Sequence, residues 1–219
     1  PMAQIKISEE DQHQLQINLI RSHCSGSGNP LPAQLSKATM LARLNTLMVG
    51  ASGVHTDTVE LLKELLNKNI AAQIFERGGV GASGDLVQLA HLALNLIGEG
   101  EVWADGKIED TKKVFQEKGI KPLEVRMREG LSIMNGTSAM TGIGIVNIIQ
   151  SKKLLYWSVA LSAITNEIMK SFDDHFSKEL NEVKHHPGQM EVAKMMREFL
   201  NDSKLIRKRA EHLYHRKIE

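Results

Sequence analysis

The chain has 219 residues, of which 42% are hydrophobic and 24% charged, enough for one large folded domain or two small ones. A formal net charge of +1 argues against nucleic acid as the main partner. The single cysteine excludes an internal disulfide and is typical of a reducing compartment, which predicts a cytoplasmic protein. No apolar run reaches the roughly 18 residues needed to cross a bilayer, so no membrane partner is expected.

The first elements in chain order are predicted to be helices. Ser8 is a predicted N-cap, with acidic residues in the first turn after it, and this helix breaks at the turn cluster SGSGNP. Pro32 begins a second helix. A third is predicted to begin at Asp57, where Glu60 completes a capping box, and the short apolar piece AAQIF follows it.

The centre of the chain contains the glycine-rich stretch GGVGASGDL, residues 78–86. Apolar residues at helical spacing follow it, so the stretch is predicted to be a loop that leads into a helix, with Asp85 in the first turn. The segment EVWADGKIE then predicts a small hairpin around Asp105-Gly106. A short helix near Thr111 to Lys118, closed by Gly119, completes this part.

The rest of the chain is predicted to be helical from about Arg126, although three glycines interrupt the pattern, at 136, 142 and 144. The long segment SKKLLYWSVALSAITNEIMKSF continues the helix, and another begins at Pro187. The predicted fold class is therefore mainly α, with a strand pair at most. We expect a helical domain over residues 1–125 that carries the glycine-rich loop, and the start of a central helical bundle over residues 126–219.

The glycine-rich loop has three competing interpretations from its residues alone: a phosphate-binding loop of the dinucleotide or P-loop type, a plain turn, and a loop that reacts with itself. Gly79, Gly81 and Gly84 have the G-x-G-x-x-G spacing of a dinucleotide site, but that site needs a strand before it and a parallel βαβ unit around it, whereas helices are predicted here. A P-loop is excluded because no Lys-Ser or Lys-Thr closes the glycine run. A plain glycine-rich turn that leads into a helix remains open.

The third interpretation is a reaction of the backbone with itself. In a tight bend the Gly84 nitrogen can attack the carbonyl carbon of Ala82, and glycine suits this position because no Cβ blocks the approach. Ring closure with loss of one water, followed by loss of the Ser83 hydroxyl as a second water, leaves an exocyclic methylidene on a five-membered ring. The product is a strong electrophile made only from protein.

The stretch GGVGASGDLVQLAHLALNLIGEGE resembles the histidine and aromatic amino-acid ammonia-lyase family, whose signature combines Ala-Ser-Gly-Asp-Leu, Leu-Ala-His and Gly-Glu-Gly. Four further stretches agree with the family: NLIRSHCSGSG, LARLNTLMVGASGVH, REGLSIMNGTSAM and HHPGQ. The resemblance implies that Ala82, Ser83 and Gly84 form a 4-methylideneimidazol-5-one group. It also implies that neither a metal nor a nucleotide is required.

The resemblance also implies roles for other residues. Asp85 would support formation or geometry of the electrophile, and Asn135 would lie beside it and beside the substrate carboxylate. Ser22 and His23 match the pair that contacts the substrate ring, and Leu86 would line the same pocket. A homotetramer is implied, because the family builds each active site from several subunits.

The resemblance also bears on the ends of the chain. Family members are more than twice this length, and their catalytic Tyr lies in a loop that would come just before Pro1. Both predicted domains are therefore expected to be incomplete, the first at its start and the second at its end. An inactive helical fragment or scaffold that keeps the motif without the activity is the non-enzymatic alternative.

The substrate is inferred from the residues that would surround it. Ser22-His23 favours L-histidine, with ammonia and urocanate as products. Val87-Gln88, where histidine enzymes usually have Ala-Pro, resembles a bacterial subgroup that includes tyrosine lyases, which give p-coumarate. A 2,3-aminomutase shares the electrophile and stays open as a further alternative.

Two other groups of residues are assigned structural roles. Cys24 is predicted to be a small half-buried residue and not a thiol nucleophile, because no supporting triad is visible. His185 and His186 lack a third metal ligand, so we expect a solvated loop there. Met195 and Met196 are predicted to be core residues.

Overall fold

The computed structural model describes residues 8–211, apart from the side chains of Glu9 and Glu10, so the acidic first turn predicted after Ser8 lies partly outside the described residues. The chain forms two compact units, which divide between Asn147 and Ile148. The domain division predicted between residues 125 and 126 stays a prediction. Among the described helices, none combines the length and the apolar character that a membrane span requires.

The mainly α fold class is confirmed, because helices dominate both units. The first unit contains α1 (Glu9–His23), α2 (Ala33–Leu47), α3 (Thr56–Asn67), α4 (Leu86–Leu96), α5 (Thr111–Lys118), α6 (Glu129–Met134) and the start of α7 (Ser138–Ile168). The second unit contains the remainder of α7, a 3-10 turn (Asp173–Phe176), α8 (Lys178–Glu182) and α9 (Pro187–Phe199).

The strands are short and all lie in the first unit of the described chain. They are β1 (Ser27–Pro30), β2 (Ala71–Ala72), β3 (Phe75–Arg77), β4 (Glu101–Ala104) and β5 (Lys107–Asp110). The predicted hairpin is β4 and β5, which pair antiparallel. The prediction of one strand pair at most was wrong. Strand β2 also pairs with β4, and β1 pairs with β3. Strands of two to four residues are too short for an alternating pattern to reveal them.

Two helix starts that the sequence predicted from side-chain caps can be compared with the structure. The Ser8 hydroxyl accepts the Asp11 N–H at 3.2 Å, as an N-cap does. The third helix does not begin at Asp57, because its N-cap is His55, whose Nδ1 accepts the Asp57 N–H at 3.3 Å. The capping box predicted between Asp57 and Glu60 was therefore wrong. A ring nitrogen replaced the expected carboxylate as acceptor two residues earlier.

Helix α4 follows the glycine-rich loop directly and is largely buried in the first unit. Five of its side chains are completely buried: Leu89, Ala90, Leu92, Ala93 and Leu96. It packs against α1 and α6. Each fully buried Leu contributes about 1.5–3 kcal/mol relative to exposure, so the N-terminus of α4 is held by its own core contacts.

The second unit has a smaller apolar cluster of its own. Val159, Ala163 and Met196 are buried in it, and Met195 packs against it, which confirms the predicted core role of the two methionines. His185 and His186 are exposed, in agreement with the solvated loop.

Candidate active site

The glycine-rich loop connects β3 to α4 and bends sharply at the predicted electrophile. Ala82 and Ser83 are exposed, and Gly84 is half-buried. Ser83 has φ +59° and Gly84 has φ +85°, so two successive residues adopt left-handed backbone conformations. A serine with positive φ is uncommon and indicates a bend that its surroundings impose.

Gly84 lies directly against Gly136, in the break between α6 and α7. The two residues form an isolated parallel bridge, and the Asp85 N–H donates to the Gly136 carbonyl at 2.7 Å. A Cβ on Gly84 would collide with that carbonyl oxygen. The position therefore requires glycine twice, once for its φ and once for the space.

Asp85 connects the loop to α7. It is the N-cap of α4, one residue earlier than predicted, but its side chain does not cap that helix. Its Oδ2 accepts the Met140 N–H at 2.9 Å. Met140 is in the first turn of α7, where N–H groups lack partners within the helix, so Asp85 caps α7 from a distance.

Arg43, in α2, is a site residue that sequence reasoning missed. Its side chain is buried, with 2% exposed. Its Nη2 donates to the Asn135 carbonyl at 2.9 Å and also to the Ser132 carbonyl. These carbonyls end α6, so the guanidinium caps the C-terminus of that helix. Burial lowers the pKa of Arg43, which nevertheless stays protonated as arginines do.

The break between α6 and α7 also lines a cavity of about 590 Å³ in the first unit. Asn135 is exposed at this break and contributes to the lining. The remaining lining is mixed, with polar and apolar side chains that include Leu41, Asn45, Thr46, Ser52 and Thr141. The structure therefore places Asn135 beside the residue that contacts Gly84, and next to space for a small molecule.

Ser22 and His23 lie at the C-terminal end of α1, where their side chains bond to the helix. The Ser22 hydroxyl donates to the Leu19 carbonyl at 2.9 Å, and His23 Nδ1 lies 2.8 Å from the same oxygen. Because a carbonyl only accepts, His23 carries its proton on Nδ1, which leaves Nε2 as the acceptor of the neutral ring.

His91 links this end of α1 to the glycine-rich loop, and sequence reasoning gave it no role. Its Nε2 accepts the Gly26 N–H at 3.1 Å, and its ring packs edge-on against Phe75 with centroids 4.9 Å apart. Burial lowers the pKa of His91, which favours the neutral ring that can accept. Gly26 in turn adjoins Gly78, since a Cβ on Gly78 would lie 3.2 Å from the Gly26 Cα.

Cys24 does not provide a nucleophile. Its thiol donates to the Ile20 carbonyl at 3.2 Å. Burial, with a smaller effect of the Glu99 charge, raises the pKa of Cys24 to about 12. A thiol with this pKa is almost entirely protonated near neutral pH, which agrees with the structural role predicted for it.

The fold and the loop together define a class of helical protein in which a strained Ala-Ser-Gly bend, held against a helix break that carries an Asn, precedes a buried helix. The chain belongs to the aromatic amino acid lyase family, which matches residues 1–217. This match confirms the family that the sequence motifs indicated. Carbon–nitrogen lyase chemistry is therefore the chemistry of its family.

Relatives in the family differ in the reactions their names state. The chain is 41% identical over 207 residues to the histidine ammonia-lyase of Bacillus cytotoxicus, covering 94% of this chain and 41% of that protein. It is 42% identical over 193 residues to the tyrosine 2,3-aminomutase of Myxococcus sp. strain Mx-B0, covering 88% and 37%. The crystal structure of tyrosine aminomutase from Streptomyces globisporus matches with a TM-score of 0.89 at 36% identity, covering 94% and 39%. The chain thus spans about two fifths of the length of these relatives.

Proposed function

We propose that the protein carrying this chain is a histidine ammonia-lyase-like enzyme, which eliminates ammonia from L-histidine to give urocanate. The observation that carries the proposal is the Ala82-Ser83-Gly84 bend held against Gly136, within a chain that belongs to the aromatic amino acid lyase family. The activity belongs to the complete enzyme, because the chain spans about two fifths of its relatives.

The residues of the bend fit a 4-methylideneimidazol-5-one group. Ring closure needs the Gly84 nitrogen close to the Ala82 carbonyl carbon, and Ser83, the residue between these two atoms, has the positive φ of a tight bend. The Ser83 side chain is exposed, so its hydroxyl can leave as water. The group supplies an electrophile that captures the substrate and makes loss of ammonia feasible.

The chain's own residues hold and orient the reactants in this proposal. Two hydrogen bonds fix the bend: the Asp85 carboxylate accepts the Met140 N–H at 2.9 Å, and the Gly136 carbonyl accepts the Asp85 N–H at 2.7 Å. Asn135 offers an exposed amide at the helix break, which can donate to the substrate carboxylate. His23 offers Nε2 as an acceptor for a ring N–H or O–H of the substrate, with Ser22 beside it. Leu86, half-buried at the start of α4, is proposed to line the same pocket.

The second candidate is a tyrosine ammonia-lyase, which gives p-coumarate, or a tyrosine 2,3-aminomutase. The tyrosine 2,3-aminomutase relative, at 42% identity, and the Val87-Gln88 pair both favour it. A phenol O–H can use the same His23 acceptor as an imidazole N–H, so the hydrogen-bonding groups of this chain suit either substrate.

We also propose that the enzyme is a cytoplasmic homotetramer that needs neither a metal nor a nucleotide. Exposed apolar side chains on α7 support assembly, since Leu154, Trp157 and Leu161 are 72%, 65% and 60% exposed. Apolar side chains exposed to this extent favour burial against another protein surface.

Intact mass and product formation test the proposal. The purified complete enzyme should weigh less than its sequence by the mass of two water molecules, whereas a Ser83→Ala variant has no hydroxyl to lose as the second water and should not show this loss of two. Incubation with L-histidine, L-tyrosine and L-phenylalanine should produce an ultraviolet-absorbing acrylate fastest from L-histidine.

Each competing function predicts a different result. Faster turnover of L-tyrosine supports the second candidate, and chromatography then separates p-coumarate from a β-amino acid. An unmodified mass, together with no product from any of the three amino acids, would refute the proposed lyase activity and support the inactive scaffold.

A further inference from the structure

We propose that Arg43 is a positioning residue for the electrophile loop: its buried guanidinium fixes the break between α6 and α7 and, through Gly136, the conformation of Gly84 and Asp85. What the loop becomes chemically rests on the proposed function. The positioning itself rests on contacts within the first unit.

The environment of Arg43 is unfavourable for a charge. The side chain is 2% exposed, and between residues 8 and 211 no carboxylate lies within ion-pair distance of it. Its Nε is buried without a hydrogen-bond partner in the described chain. A buried ion and an unpaired donor both destabilise the folded state, so methionine would be the less costly way to fill this volume. The compensation is the pair of carbonyls that end α6, which accept hydrogen bonds from the guanidinium.

One residue, Gly136, lies between the guanidinium and the electrophile loop. Nη2 holds the Asn135 carbonyl at 2.9 Å, and a Cβ on Gly136 would collide with Nη1, so the guanidinium packs directly against that glycine. The Gly136 carbonyl then accepts the Asp85 N–H at 2.7 Å and lies against Gly84. A movement of the helix break away from Arg43 therefore changes the backbone of the bend.

The two charges at the break have complementary positions. The guanidinium of Arg43 lies at the C-terminus of α6, where the helix dipole favours a cation. The carboxylate of Asp85 lies at the N-terminus of α7, where the helix dipole favours an anion. The break is thus held from both sides. The hydrogen bonds of Arg43 within the described chain go to the helix break and not to the loop, which makes it a positioning residue and not a catalytic one.

Hydrogen exchange tests the positioning independently of any activity. Arg43→Met should speed amide exchange at Asp85 and Met140, whose N–H groups donate to the Gly136 carbonyl and to Asp85 Oδ2, by about tenfold or more, the factor expected when a charge-assisted hydrogen bond is lost. Exchange in α3 should stay close to wild type. The control is Leu62→Ala, which removes a completely buried side chain of α3. It should destabilise the unit without selectively loosening the loop.

Arg43→Lys distinguishes geometry from charge and serves if Arg43→Met does not fold. A lysine keeps the charge but cannot hold two carbonyls with the planar fork of a guanidinium, so its exchange should be intermediate. In a time course of intact mass, loss of two waters should be slowest in Arg43→Met, intermediate in Arg43→Lys and unchanged in Leu62→Ala.

The outcomes separate the two proposals. Amide exchange at Asp85 and Met140 that stays at the wild-type rate, or that rises no more than exchange in α3 does, overturns the positioning role. Faster exchange with an unchanged rate of water loss overturns the link to the electrophile. If wild type keeps its full mass while the exchange pattern is as expected, the proposed electrophile is wrong and Arg43 still positions the loop.

Discussion

Replacing Gly84 with alanine tests whether the Gly136 carbonyl constrains the bend. Two costs are expected. A side chain at φ +85° costs roughly 1–2 kcal/mol in backbone strain, and displacement of the Gly136 carbonyl by the new Cβ costs about 1–3 kcal/mol, as overpacking does. Together they lower the free energy of unfolding by about 2–5 kcal/mol. This is a large part of the roughly 5–15 kcal/mol that stabilises a typical protein.

A matched control lies in the same loop. Gly81 has φ +75°, and a Cβ there meets nothing within 4 Å. Gly81→Ala should therefore carry the backbone cost alone, about 1–2 kcal/mol. Because the two variants should differ in the ring, both substitutions are also made in a Ser83→Ala background, where the difference between them isolates the collision with Gly136.

Urea unfolding followed by circular dichroism measures both variants against wild type. Intact mass of the same samples reports the ring, which should be absent from Gly84→Ala and present in Gly81→Ala. Equal losses of stability in the two variants would refute the reasoning, because backbone strain would then account for the whole effect and the carbonyl for none of it.

Three further predictions concern groups around the loop. Asp85→Ala should lose about 1–2 kcal/mol of stability in urea unfolding, whereas Asp85→Asn, which keeps an acceptor for α7, should lose about half as much. Because burial lowers the pKa of His91, the unfolded chain binds more protons than the folded state as pH falls below about 6.5, so the free energy of unfolding should decrease there. His91→Gln should flatten that part of the stability–pH curve. An unchanged curve would show that a group other than His91 causes the pH dependence. With its pKa raised to about 12, Cys24 should resist iodoacetamide at about pH 8 in the folded protein and react after unfolding in urea, as intact mass would show. Equal rates in the two states would contradict the burial of its thiol.

Local signals in the sequence were enough for most of the secondary structure. Ser8, the Asp105-Gly106 turn and Pro187 each act within a few residues, and the structure has the cap, the hairpin and the helix start they predicted. The cap of α3 was missed because a histidine serves there as the acceptor. The short strands were missed because pairing, and not their own two to four residues, defines them.

The candidate site was predictable only where a motif is contiguous. Ala82-Ser83-Gly84 and Asp85 stand together in the sequence, and Asn135 entered through its Asn-Gly-Thr context. Arg43 had no such signal, because its partner Asn135 is 92 positions away. An arginine is ordinarily expected at the surface, and only the packed structure shows that Arg43 is buried.

The contact between Gly84 and Gly136 also bears on when the electrophile can be made. The hydrogen bonds around the bend join residues that are far apart in the sequence: Asp85 and Met140 are separated by 55 positions, and Arg43 and Asn135 by 92. Such long-range contacts require large chain loops to close during folding. On the proposed chemistry, a nascent chain at the ribosome carries an inert Ala-Ser-Gly tripeptide until Gly136 and Met140 have been synthesised and packed. Dehydration is then a covalent record of completed folding, and the reactive group is withheld from chains that have not yet folded.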